Sequence, residues 1–238
     1  MNTVLFDLDG TLLPMDQDHY IKAYLTVLGE RFAGLYEPAA LQAAVMQGTE
    51  AMIKNDGGCT NETLFWQVFS SILGAGVNDW RTEFDNFYRE QYDNLRSEVG
   101  FTPLAAETVA ALKEKGYDLI LASNPLYPEI ATRARMRWAG LNEDDFLLVT
   151  AYEKFSYSKP NVAYYREIMT KCGREPQDCL MVGNDVDEDL CAGKTGMATW
   201  LLTDWMINRR NKDISAYRHG SFAELRAEVN SWGKVTGL

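Results

Sequence analysis

Asp7-Leu8-Asp9-Gly10-Thr11 directly follows the apolar run Val4-Leu5-Phe6. Two carboxylates at i and i+2, placed where a buried strand ends, are expensive to desolvate, and a purely structural turn has no use for both. Chemistry does: one acid can attack or bind a cation while the other moves a proton. Gly10 lets the chain turn sharply off the strand, and Thr11 offers a hydroxyl to hold an acid in place. Three further groups stand out along the chain. Ser123-Asn124 closes Leu119-Ile120-Leu121-Ala122, and a hydroxyl beside an amide there can donate to a tetrahedral oxyanion, although Ser-Asn-Pro is also an ordinary turn. Lys159 precedes Pro160 at an expected helix start, where the helix dipole disfavours a cation unless an anion faces it. Finally, Gly183-Asn184-Asp185-Val186-Asp187-Glu188-Asp189 follows Leu180-Met181-Val182, and such crowded acids repel one another unless solvated or near a cation.

Apolar runs reading as buried parallel strands are Val4–Phe6, Leu119–Ala122, Phe146–Val149, Leu180–Val182 and Thr199–Leu202. Helical patterns separate the later four: Leu104–Leu112 ending near Gly116, Pro128–Trp138 stopping at Gly140, and Pro160 to Gly173. This alternation predicts a doubly wound, Rossmann-like parallel α/β sheet with its active loops at the carboxyl ends of the strands. About 90 residues between Thr11 and Phe101 break the rhythm with no convincing strand. Ile21 to Phe32, Leu41 to Ile53, Leu64 to Ile72 and Phe84 to Leu95 carry helical spacing, punctuated by Gly57-Gly58 and Gly74-Ala75-Gly76. A crossover that long predicts an inserted helical subdomain. The expected division is a core of residues 1–14 and 101–238 and a helical insertion of residues 15–100. Ser221-Phe222-Ala223-Glu224 predicts a capping box at the start of a final helix.

The 238 residues are 46% hydrophobic and 24% charged, enough for a sizeable core. A net charge of −11 argues against nucleic acid or an anionic membrane as partner. Cys59, Cys172, Cys179 and Cys191 form no C-x-x-C pair and have no histidine at zinc spacing; Cys179 reads as a core thiol. No basic-then-apolar leader is visible and no apolar run approaches a membrane span, so a reduced, cytoplasmic protein is expected. Gly193-Lys194-Thr195 imitates the end of a P-loop, but Glu188 stands where the upstream glycine belongs. His19, His219 and Arg209-Arg210 read as surface residues, and the six scattered tryptophans, including Trp66 and Trp80, as core or interface. The pattern sets no oligomeric state.

The four groups, in order along the whole chain, resemble the haloacid dehalogenase superfamily, and the long insertion is similar to that family's helical cap of the C1 type. The resemblance implies that Asp7 is a nucleophile forming an aspartyl phosphate, and that Asp9 is the general acid and base. Ser123, Asn124 and Lys159 would bind the transferring phosphoryl group, with Lys159 also orienting Asp7. Mg2+ would sit on the Asp7 carboxylate, the Asp9 backbone carbonyl and Asp185, with Asp189 water-mediated or orienting. Asn184 stands where the family usually carries an acid, and is the alternative ligand. Asp9 favours phosphate over halide chemistry, because the family's dehalogenases lack that second aspartate. The implied activity is hydrolysis of a phosphate monoester on a small phosphorylated metabolite. A sugar-phosphate mutase and a catalytically silent binding protein are the alternatives. Lys54-Asn55-Asp56-Gly57-Gly58 is an expected specificity loop in which Lys54 would meet a second anionic group.

Overall fold

The computed structural model describes residues 1–74 and 81–235. Ala75, Gly76 and Trp80, named above, lie outside the described residues. The central strand is β1 (Thr3–Phe6), which pairs in parallel with β2 (Asp118–Leu121) on one side and β4 (Cys179–Gly183) on the other. The sheet continues outward to β3 (Leu148–Val149) beyond β2, and to β5 (Ala198–Leu202) and β6 (His219–Gly220) beyond β4. Strand order is therefore β3-β2-β1-β4-β5-β6, all parallel.

Period-2 geometry divides the apolar residues of the strands between two cores. Val4, Phe6, Leu119, Leu121, Leu180 and Val182 enter one cluster; Leu5, Ile120 and Met181 enter the other. Helices α5 (Pro103–Glu114) and α8 (Phe222–Ser231) supply Val109, Leu112 and Leu225 to the first. Helix α7 (Val162–Cys172) supplies Tyr164, Tyr165 and Ile168 to the second. Both faces are covered, as the near-continuous hydrophobicity of the strands requires. All five expected strands are present. The edge strand β6 was not expected: it is two residues long and its His219 is exposed, so it carries no apolar signature.

Between β1 and α5 the chain forms α1 (Gln17–Arg31), α2 (Pro38–Ile53), α3 (Asn61–Leu73) and α4 (Arg81–Glu90). The pattern from Phe84 to Leu95 is not one helix: it breaks at Gln91 and continues as a 3₁₀ turn over Tyr92–Glu98. Aromatic packing joins these elements, with Phe32 and Phe84 stacked at 4.5 Å and Phe69 and Phe84 edge-to-face at 5.3 Å. Helix α6 (Glu129–Trp138) reaches the same layer through Trp138, stacked on Tyr92 at 5.2 Å. Helix α7 begins two residues later than Pro160, with Asn161 as N-cap accepting from Ala163 N–H at 2.9 Å. The Ser221–Glu224 capping box forms as expected. Among the described residues no helix is long and apolar enough to cross a membrane.

Candidate active site

Parallel strands end on one edge, and β1, β2 and β4 are neighbours, so the loops carrying Asp7, Ser123 and Asn184 to Asp189 converge there. Lys159 reaches the same point from the loop before α7. Its buried Nζ donates to Asp7 Oδ1 at 2.8 Å and to Asp189 Oδ1 at 2.6 Å. Burial opposes the ammonium charge, but Asp189 and Asp7 outweigh it and hold the lysine well above its ordinary range. Burial pushes the Asp7 carboxyl up to about 7, against the pull of Lys159 and with the push of Asp189 and Asp9.

Asp9 has a partner that the sequence reading missed. Arg135, fully buried on α6, donates from Nη1 to Asp9 Oδ2 at 2.7 Å. Its guanidinium lies over the Tyr127 ring, 4.2 Å from the centroid. Burial raises the Asp9 carboxyl and Arg135 restrains the rise. The other Asp9 oxygen, Oδ1, is buried and unpartnered. A signal for Arg135 existed: Ala131, Ala134, Arg135 and Trp138 fall at i, i+3, i+4 and i+7, all buried, so the arginine stands on the apolar stripe of its helix.

Asn124 ties three loops together. Its Nδ2 donates to Glu188 Oε2 at 3.0 Å, and its Oδ1 accepts from Lys159 N–H at 3.1 Å. The carbonyl of buried Ser123 accepts from Thr150 Oγ1 at 2.6 Å and from the Tyr164 hydroxyl at 2.8 Å, which fixes the loop.

The acidic loop divides its labour. Asn184 is buried with both ends of its amide engaged: its Oδ1 accepts from Thr11 Oγ1 at 3.0 Å and its Nδ2 donates to the Trp205 carbonyl at 2.7 Å. Thr11 thus holds an amide rather than an acid. Gly10 has φ +84°, and a Cβ there would collide with the Asn184 amide, so the turn needs glycine on both counts. Asp185 Oδ1 accepts from the N–H groups of Asp187 at 2.7 Å and Glu188 at 2.9 Å. Asp189 holds Lys159 and accepts from Asp185 N–H at 2.9 Å. Glu188, assigned no site role from the sequence, faces the cleft beside Asp9 and Asn124. Burial and the nearby Asp185, Asp189 and Asp7 push it up to about 8, although Lys159 pulls it down.

Among the described residues no three acidic, histidine or cysteine side chains are already gathered as a metal cluster. The donors are nonetheless all oxygen, Asp9 Oδ1 lacks a partner, and Asp7, Asp185 and Glu188 are all raised by burial. That set fits a hard divalent cation, whose charge would relieve the carboxylates.

The expected specificity loop behaves otherwise. Lys54 is exposed, pairs with Glu50 at 2.5 Å and does not line the cleft. Asn55 is the residue that turns inward, donating to Asn61 Oδ1 at 2.8 Å. Asn61, the first residue of α3, in turn donates to the Pro125 carbonyl at 3.1 Å and to Ser158 Oγ at 2.9 Å. Trp66, read as core or interface, is buried in the larger core cluster and also lines the cleft.

Comparison with known proteins points to one family. A family model described as haloacid dehalogenase-like hydrolase matches residues 1–196. A phosphoglycolate phosphatase of Aquifex aeolicus is 27% identical over 217 residues, covering 90% of each chain. One from Vibrio vulnificus is 29% identical over 200 residues, covering 84% of this chain and 82% of that protein. The pyrophosphatase PpaX of Bacillus cereus is 26% identical over 216 residues, covering 88% and 86%. The fold matches a crystal structure of a phosphatase of the same superfamily from Thermococcus onnurineus with TM-score 0.58 and 22% identity, over 99% of this chain and 100% of that one. With the family model spanning every one of the four loops, the chain belongs to the haloacid dehalogenase-like hydrolases.

Proposed function

We propose that the chain is a Mg2+-dependent phosphatase that hydrolyses phosphate monoesters of small metabolites through an aspartyl phosphate on Asp7. The observation carrying this reading is the Lys159 ammonium bridging Asp7 and Asp189 at the strand ends, with Asp9 two residues from Asp7. The names of the relatives, phosphoglycolate phosphatase and pyrophosphatase, support a small phosphorylated substrate.

In the first step an Asp7 carboxylate oxygen attacks phosphorus and the ester P–O bond breaks. Asp9, whose raised affinity for a proton suits a general acid, gives that proton to the departing alkoxide. In the second step Asp9 takes a proton from water as its oxygen attacks phosphorus. The acyl-phosphate bond then breaks, restoring the Asp7 carboxylate and releasing inorganic phosphate. Lys159, the Ser123 hydroxyl and the Asn124 backbone N–H donate to the phosphoryl oxygens, and Lys159 favours the ionised form of Asp7 against the burial that raises it. The Asp7 carboxylate, the Asp9 carbonyl and Asp185 would hold Mg2+. Glu188 is a further donor at the cleft, Asp189 orients Lys159, and Asn184 serves the turn. Bound there, the cation would offset charge on the phosphoryl oxygens. Residues 15–100 act as the cap over a core of residues 1–14 and 101–238, opening to admit substrate and closing to exclude water.

Acid quench during turnover of the fastest-hydrolysed ester should leave one phosphoryl group on the peptide containing Asp7, seen by mass spectrometry. An unmodified peptide at burst-phase times would rule out the covalent route.

A further inference from the structure

The cleft above Asp9 has walls that bear on what leaves with the alcohol. It is a cavity of about 170 Å³ between α1, α2, α3 and α4 on one side and the loops after β1 and β2 on the other. Tyr20, Tyr24, Phe65, Trp66, Tyr88 and Tyr127 line it, with Asp9, Asn124 and Glu188 at its polar end. Among the described lining residues Arg135 is the one cation, and Asp9 already neutralises it at 2.7 Å. Lys159 is occupied with Asp7 and Asp189 and does not line this cavity. A second anionic group on the leaving alcohol would therefore meet two carboxylic side chains and aromatic rings, with no free cation among the described lining residues to receive it. A planar apolar group meets what it prefers: ring edges and faces, at a volume similar to the roughly 150 Å³ cavities that take up benzene.

Resting on the phosphatase reading, we propose that the preferred substrates are phosphate monoesters whose alcohol carries one uncharged aromatic or similarly planar ring. The ring would be seated among Tyr20, Tyr24, Phe65, Trp66, Tyr88 and Tyr127. Esters with a second anionic group, such as phosphoglycolate, are poor substrates by the same chemistry.

The test compares benzyl phosphate, glycerol 3-phosphate and phosphoglycolate with Mg2+ present. All three release an alkoxide rather than a phenoxide, which keeps ring recognition separate from the intrinsic ease of aryl ester cleavage. Benzyl phosphate should have the highest kcat/KM, by roughly tenfold or more over phosphoglycolate. Thr49→Lys, which adds an ammonium to the half-buried wall of α2, should narrow or invert that ratio. Equal or better turnover of phosphoglycolate by the wild type would overturn the ring preference while leaving the phosphatase reading intact. Release from none of the three would count against the phosphatase reading. Calorimetry with non-hydrolysable benzylphosphonate and phosphonoacetate then decides the cavity's preference independently. Tighter binding of benzylphosphonate sustains it, and equal or weaker binding overturns it.

Discussion

Asp9 and Arg135 form a pair in which each needs the other. The arginine side chain is 1% exposed and the aspartate 14%, so removing one partner strands a charge in a low-dielectric site. Arg135→Met should destabilise the fold by about 3 kcal/mol in urea denaturation, and Asp9→Asn in the same chain should recover much of that loss. Additive losses in the double variant would show that the pair is not coupled. The raised acids also set a pH dependence. Asp7 at about 7 and Glu188 at about 8 bind protons more readily folded than unfolded, so without metal the fold is most stable below their unfolded values. Stability should then fall as pH rises from about 5 to about 8, and Glu188→Gln should flatten part of the slope. A metal-free protein that gains stability over this interval would contradict the burial of these carboxyls. Both residues lay within reach of the sequence to different degrees. Arg135 sits on an apolar stripe and was there to be noticed, whereas nothing local separates Glu188 from its acidic neighbours.

At the scale of elements, the start of α3 pins two loops of the candidate site at once. Asn61 bonds the Pro125 carbonyl beside Asn124 and the Ser158 hydroxyl beside Lys159, and its own N–H donates to the Phe155 carbonyl at 2.8 Å. Asn61→Ala should cost about 1–3 kcal/mol through stranded partners, and lower kcat roughly tenfold as Lys159 and Asn124 lose registration. Lost stability with kcat unchanged would make the contact structural only. The elements themselves were largely legible. Apolar runs of three or four residues marked β1, β2, β4 and β5, and Gly116, Gly140 and Gly173, all with positive φ, marked where helices stop. The strand β6 was not legible, because an edge pairing of His219 and Gly220 needs no apolar face. The break at Gln91 was hidden too, since Phe84, Phe87, Tyr92 and Leu95 are buried on both sides of it.

Over the whole molecule, the alternation of strand and helix predicted a single parallel sheet, and hence a single edge for Asp7, Ser123 and the acidic loop. What alternation does not carry is which side chains meet across that edge. Asp7 and Lys159 are 152 positions apart, and Asp9 and Arg135 are 126 apart. The packing of helices α1, α3 and α4 against the loop after β2 brings aromatic rings above the acids. A net charge of −11 sharpens the role of the one lysine buried among them, because the rest of the molecule repels a phosphate dianion. The most direct measurement is phosphate release from a panel of small phosphate esters, with and without Mg2+, for the wild type and Asp7→Asn. Metal-dependent release by the wild type, reduced at least a thousandfold or so in Asp7→Asn, is the expected result for a lost nucleophile. Undiminished release by a folded Asp7→Asn variant would contradict the assignment of Asp7 as the attacking group.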